Sequence, residues 1–213
     1  MPRTRKKSNL AAARARMYHE LIFDCAERVF AEQGFDESTM QDVAAEAGVS
    51  LKTLYATFPG KDDIYRAILE VRSQGLLDAS VSADPERPAL EILAEGMHGI
   101  VAYFIEHPDF FRILTREGSA WGLHPRGHAG QKGALAGAQL VTQVVEQGMK
   151  EGVFLAADPR LATASVTALL QVQLAVLLED DAEPTAVADQ ILVYLRRLLC
   201  GNDGEPGATE RAA

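Results

Sequence analysis

The sequence predicts an all-α chain in two parts. Apolar residues recur at helical spacing along nearly every segment, capping residues, Gly and Pro punctuate them, and no stretch alternates as a half-buried strand would. The segments before residue 60 are short and closely joined, whereas two long helices dominate the C-terminal third. With 47% hydrophobic and 24% charged residues in 213, the composition is that of an ordinary soluble globular protein.

Leu21, Ile22, Cys25, Ala26, Val29 and Phe30 lie on one stripe of a first helix expected over residues 13–33. Thr39 is an N-cap candidate for a second helix, with Asp42 at its third position and Met40, Val43, Ala44 and Ala47 inward, ending at Gly48. Only Val49 separates that glycine from Ser50, a second N-cap candidate, which opens a short third helix that Pro59 ends. Two short helices joined by a Gly turn read as a helix-turn-helix, a spacing also found in plain helical hairpins. The outer face separates the two readings. Leu54 and Phe58 suffice for the inside, leaving Lys52, Thr53, Tyr55 and Thr57 as a polar face without an acid, suited to a phosphate-lined groove. Lys61, Asp62 and Asp63 begin a fourth helix with Ile64, Ala67, Ile68 and Val71 on its stripe, running towards Leu77.

Pro85 and Pro88 mark a loop and the domain boundary. Beyond it the pattern predicts helices over residues 89–106 and 110–117, a Gly-rich loop within 118–137, a helix over 140–150, and two more over 159–179 and 185–199. Asp158-Pro159 is a strong start signal for the first of that last pair. The expected organisation is a basic disordered arm (1–12), a helix-turn-helix domain (13–60), a connecting helix (61–79), a helical body (80–200) and a disordered tail (201–213).

The net charge of −9 argues against a protein that coats nucleic acid indiscriminately, but it is unevenly spread. Residues 1–66 carry ten Lys/Arg and ten Asp/Glu, so the excess acid lies entirely beyond them. Arg3, Arg5, Lys6, Lys7, Arg14 and Arg16 precede the first acid. A neutral head with a basic arm can approach phosphates while an acidic body is held away. Such an arm is either solvated or supplies sequence-independent affinity, including along the minor groove. Two cysteines far apart give no disulfide framework or zinc spacing and fit a reducing cytoplasm. Residues 10–15 are too short and too basic for a signal-peptide core. Residues 161–178 are uncharged, yet Thr163, Ser165, Thr167, Gln171 and Gln173 point to a buried interface helix and not to a membrane. His124 and His128 have no carboxylate or thiol nearby in sequence, and no nucleophile–base pattern or cofactor loop appears, so no metal, cofactor or enzymatic activity is expected.

The strings Ala31-Glu-Gln-Gly-Phe35, Ser38-Thr-Met-Gln-Asp-Val-Ala-Ala-Glu-Ala-Gly-Val-Ser50 and Thr53-Leu-Tyr-Ala-Thr-Phe-Pro-Gly-Lys61, in that order and spacing, resemble the N-terminal domain of the TetR family of bacterial transcription regulators. The resemblance covers residues 13–69. It implies a three-helix head whose third helix enters the major groove of an operator in double-stranded DNA, on a body that forms a homodimer and takes a small-molecule effector. It places Leu51, Lys52, Thr53, Tyr55 and Thr57 on the recognition surface with Gln41 facing the groove, and Thr39 and Lys61 at phosphate-contacting positions. Residue chemistry agrees: Lys suits guanine O6/N7, Gln suits adenine N6/N7, and Leu51 offers a thymine methyl an apolar contact. The rival expectation is a helical dimer that acts through protein partners without DNA.

A dimer must hold two heads at a fixed separation. Leu161, Ala164, Ser165, Ala168, Leu169, Val172, Ala175 and Val176 form one stripe, and Val187, Ile191, Tyr194, Leu195 and Leu198 another; paired with their symmetry mates these would build a four-helix bundle, the alternative being burial inside the monomer. For the effector, Met97, His98, Val101, Phe104, Phe111, Leu114 and Trp121, with Gln143 and Gln171 as polar groups, suit a mainly apolar small molecule; the same residues also suit an ordinary core.

Overall fold

The computed structural model describes residues 3–80, 86–116, 131–177 and 183–201, with side chains described from residue 12 in the first helix and residue 137 in the seventh. These residues form nine helices and no strand: α1 (Arg3–Gln33), α2 (Met40–Glu46), α3 (Leu51–Thr57), α4 (Lys61–Ser80), α5 (Ala89–Glu106), α6 (Pro108–Arg116), α7 (Gln131–Lys150), α8 (Pro159–Leu177) and α9 (Pro184–Cys200). They fall into two compact units, Met1–Val71 and Arg72–Ala213.

In the first unit α1 begins at Arg3, so the arm expected to be disordered is helical. Arg, Lys, Ala and Leu dominate residues 3–16 with no Gly or Pro among them, so the helix propagates backwards from its anchored half. Ile22, Ala26, Val29 and Phe30 of α1 meet Val43 of α2, Leu54 of α3 and Ile64 and Ile68 of α4 in a core where each is at most 3% exposed. Each large aliphatic or aromatic side chain so buried stabilises the head by about 1.5–3 kcal/mol. Leu21 and Val71, expected on inner stripes, are exposed, and Phe23 is buried instead. Phe30, Phe35 and Tyr65 pack as an aromatic triangle with centroids 4.5–5.7 Å apart. Gly48 makes the α2–α3 turn with φ of 62°, a conformation that strains any residue with a Cβ.

In the second unit α5 is buried along eight positions, from Ala89 to Phe104, and packs against α7 and α9. Pro88 offers no capping side chain, so the Glu151 carboxylate at the end of α7 accepts the Ala89 N–H at 3.0 Å and caps α5 from outside. Phe104 stacks on Phe110 and meets Phe111 edge-on at centroid distances of 6.1 and 5.3 Å. A Cβ on Gly99 of α5 would lie 1.9 Å from the Ala79 carbonyl oxygen, so the end of α4 comes this close only because position 99 is glycine. α7 starts at Gln131, ahead of the start expected at residue 140, so the last part of the Gly-rich stretch is helical; the alanines and leucine between Gly133 and Gly137 favour helix.

α8 is long and apolar enough to cross a membrane by length and composition, with a mean hydropathy of 1.4. It buries Thr163, Val166, Thr167, Leu170 and Leu174. The Thr167 hydroxyl donates to the Thr163 carbonyl at 2.8 Å, and the Thr163 and Thr142 hydroxyls meet at 3.0 Å, tying α8 to α7. The Thr163–Thr142 contact packs this face of α8 on α7.

Candidate nucleic-acid interface

The helix-turn-helix is built from two successive caps. At α2, the Thr39 hydroxyl accepts the Asp42 N–H at 3.2 Å, while the Asp42 carboxylate accepts both the Thr39 N–H at 2.8 Å and the Thr39 hydroxyl at 2.6 Å. These bonds hold the Asp42 carboxyl below the usual carboxylate range. At α3, the Ser50 hydroxyl accepts the Thr53 N–H at 3.1 Å and lies 2.9 Å from the Thr53 hydroxyl. The Arg28–Glu46 ion pair, at 2.5 Å, ties α1 to α2 across the surface.

The eight sequence candidates differ in what their donors already bond. Gln41, Lys52 and Tyr55 are exposed and make no hydrogen bond or ion pair among the described residues. Tyr55 is 52% exposed and Leu51 38%, both large apolar bodies held at the surface by the third helix. Thr53 and Ser50 share one hydroxyl–hydroxyl bond, so one O–H of the two stays available. Thr57 donates to the Thr53 carbonyl at 3.0 Å, and the Thr39 donors are both taken by Asp42. Lys61 departs most from expectation. Its ammonium, on a half-buried side chain at the start of α4, donates to the carbonyls of Phe35 at 2.5 Å, Ser38 at 2.8 Å and Asp36 at 3.4 Å, above the Phe35 ring. Nothing near Lys61 in sequence announces this, since its acceptors lie 23–26 residues earlier. The Thr39–Asp42 box, in contrast, is legible in the spacing.

The candidates in the second unit scatter. Met97, Val101, Phe104 and Phe111 are packed core, at most 5% exposed. Leu114 and Gln171 are half-buried, Gln143 is exposed, and Trp121 lies outside the described residues, as do His124 and His128. His98 is half-buried and bridges α5 to α9, with Nδ1 2.8 Å from the Ala94 carbonyl and Nε2 3.0 Å from Asp189.

The interface stripes divide differently. On α8, Leu161, Val172 and Val176 are 67, 63 and 60% exposed, Ser165 and Ala168 are also exposed, and Ala164 and Leu169 are half-buried. On α9, Val187, Ile191 and Leu195 are at most 2% exposed inside the protomer, which corrects their assignment to an intersubunit face. Tyr194 and Leu198 are 43 and 41% exposed, joined by Val193, which the sequence reading missed.

A capped helix-turn-helix with an acid-free outer third helix, on a separate helical unit, defines a helix-turn-helix regulator. A family model described as bacterial regulatory proteins, tetR family, matches residues 22–68, from the middle of α1 into α4. The chain is 26% identical over 156 residues to the HTH-type transcriptional repressor NicS of Pseudomonas putida, covering 70% of this chain and 71% of that one. It is 25% identical over 138 residues to the HTH-type transcriptional repressor SCO4008 of Streptomyces coelicolor, covering 65 and 68%. A crystal structure of a tetR-family regulatory protein from Rhodococcus RHA1 superposes with a TM-score of 0.71 at 20% identity, covering 87% of this chain and 98% of that one. The family-model match over residues 22–68, the repressor relatives and the solved structures all support a TetR-family transcriptional regulator.

Proposed function

We propose that this regulator is a cytoplasmic homodimeric repressor that binds a palindromic operator and is released by a mainly apolar small molecule. The observation that carries the DNA-binding part is the outer face of α3 and the adjacent start of α2. There Lys52, Tyr55 and Gln41 keep uncommitted hydrogen-bonding groups beside Leu51 and Thr53, with no acid on α3 itself. Lys52 and Gln41 would read bases in the major groove, and Tyr55, with Thr53 or Ser50, would bond phosphates. A helix with all its polar groups paired internally would offer DNA nothing, and this one does not.

Homodimerisation is supported by the exposed apolar residues Leu161, Val172 and Val176 of α8 and Val193, Tyr194 and Leu198 of α9, a set that a solitary protomer would leave in water. The names of NicS and SCO4008 support repression as the sign of control. An effector would bind in the second unit and act by favouring a conformation that binds DNA less well.

Gel retardation with duplexes selected by the purified protein from a random-sequence pool tests the reading. Retardation that is lost with Lys52→Ala and Tyr55→Ala is the expected result. A wild-type protein that retards no duplex at low salt would overturn it in favour of a helical dimer acting through protein partners.

A further inference from the structure

We infer that the first half of α1 is a helical arm that lies on the phosphate backbone beside the groove α3 enters, adding sequence-independent affinity without reading bases. The inference rests on the DNA-binding reading above. Arg3, Arg5, Lys6, Lys7, Arg14 and Arg16 all precede Glu20, the first acid, so this half of the helix is purely cationic. α1 runs from Arg3, so these cations stand on a helix that covers roughly 23 Å between Arg3 and Tyr18. From Ala12 to Met17 every side chain is exposed, Met17 by 54%, so this stretch packs on nothing in the head. Arg14 donates one N–H to the Tyr18 hydroxyl at 3.1 Å and lies 5.4 Å from the centre of that ring, a contact made within the arm itself. Arg16 has no ion pair among the described residues.

The root of the arm is fixed beside the recognition helix. The His19 ring packs on Phe58, the C-cap of α3, with centroids 4.6 Å apart, and Phe58 is itself 5% exposed. α3 has seven residues, so along it this cap is no more than about 10 Å from any recognition residue. A duplex that meets Lys52 and Tyr55 therefore brings its phosphates to the arm. A helix with its side chains is about 10–12 Å across and the minor groove about 6 Å wide, so the arm does not enter that groove as an extended basic arm does. At helical spacing Arg3, Lys7 and Arg14 fall on one side and Arg5 and Arg16 on the opposite one. Cations spread round the helix suit phosphates and converge on no base edge. Each phosphate they neutralise releases counter-ions, so the contribution of the arm weakens as salt rises.

Two variants of the full-length protein test this. The first carries Arg3→Gln, Arg5→Gln, Lys6→Gln, Lys7→Gln, Arg14→Gln and Arg16→Gln, which removes the charge and keeps a good helix former at each position. The second carries only the first four changes and leaves the Arg14–Tyr18 contact in place. Both are titrated over a range of salt against the duplex selected by the wild type and against an unrelated duplex, each with A·T and with G·C flanks. The first variant should lose about ten-fold or more in affinity for both duplexes at low salt. Its slope of log K against log salt should flatten by about 1.8 or more per protomer, about 0.9 for each of at least two phosphates. The second should show part of both effects, and neither should depend on the flanks. A slope that flattens by less than this overturns the inference, because the arm is then merely solvated. A loss confined to A·T flanks or to the selected duplex also overturns it, and makes the arm a reader of the minor groove. Should the wild type select no duplex, the DNA-binding reading fails and the unrelated duplex alone decides. Binding to it at low salt that the first variant loses sustains the arm, and no such binding overturns it.

Discussion

The Asp42 carboxylate takes both donors of Thr39, its N–H at 2.8 Å and its hydroxyl at 2.6 Å, so the first turn of α2 is closed upon itself. Thr39 is then foremost a cap. Thr39→Ala removes the cap acceptor and one ligand of Asp42 and should lower head stability by about 1 kcal/mol, whereas Thr39→Ser should stay near wild type. Thermal unfolding of the two variants, followed by circular dichroism, checks the difference.

The same pair gives a pH dependence with a definite sign. The Thr39 hydroxyl and N–H hold the Asp42 carboxyl below its ordinary value, so the ionised form is favoured in the folded protein. Its contribution is fully present above the unfolded carboxylate's pKa, about 3.9, and is lost as pH falls through the lower folded value. Denaturant unfolding between pH 7 and pH 2 should show a smaller loss of stability at the acid end in Asp42→Asn than in the wild type.

Lys52 is exposed and unbonded among the described residues. If it reads guanine, Lys52→Ala should weaken the selected duplex by about 1–3 kcal/mol and relax preference at one base pair of each half-site. Binding titrations against single-base variants of the duplex give this directly. A uniform loss across all sequences with a flatter salt slope would move Lys52 to a phosphate instead.

The two apolar stripes of α8 and α9 should respond oppositely to substitution. Val172 is 63% exposed in the protomer, so Val172→Asp should yield helical monomers in sedimentation velocity. Ile191 is fully buried within the protomer, so Ile191→Ala should destabilise it by about 2–5 kcal/mol and leave the dimer assembled.

That contrast marks how far the sequence could be read. Periodicity located both stripes, because apolar spacing reports that a helix face is covered; it does not say by what. Val187, Ile191 and Leu195 are covered by their own protomer, and Leu161, Val172 and Val176 are not. The caps at Thr39 and Ser50 and the inward Leu54 and Phe58 were legible in the spacing, whereas the Thr57 hydroxyl, bonded to the Thr53 carbonyl four residues away, was expected to face DNA. The bonding of Lys61 was not legible, because its acceptors are backbone carbonyls brought to it by packing of α1 against α4's neighbours in the core. The helical arm was missed because a run of charges favours solvation while Arg, Lys and Ala also favour helix, and composition alone does not rank the two.

The central claim is that two copies of the α3 outer face read two inverted half-sites. Hydroxyl-radical footprinting of the wild-type protein on its selected duplex measures this most directly. Two protected half-sites related by a dyad, with centres one helical turn or a whole multiple of about 34–36 Å apart, and their loss together in Val172→Asp, are the expected result. Protection of a single half-site by the wild type, or a footprint without dyad symmetry, would contradict it.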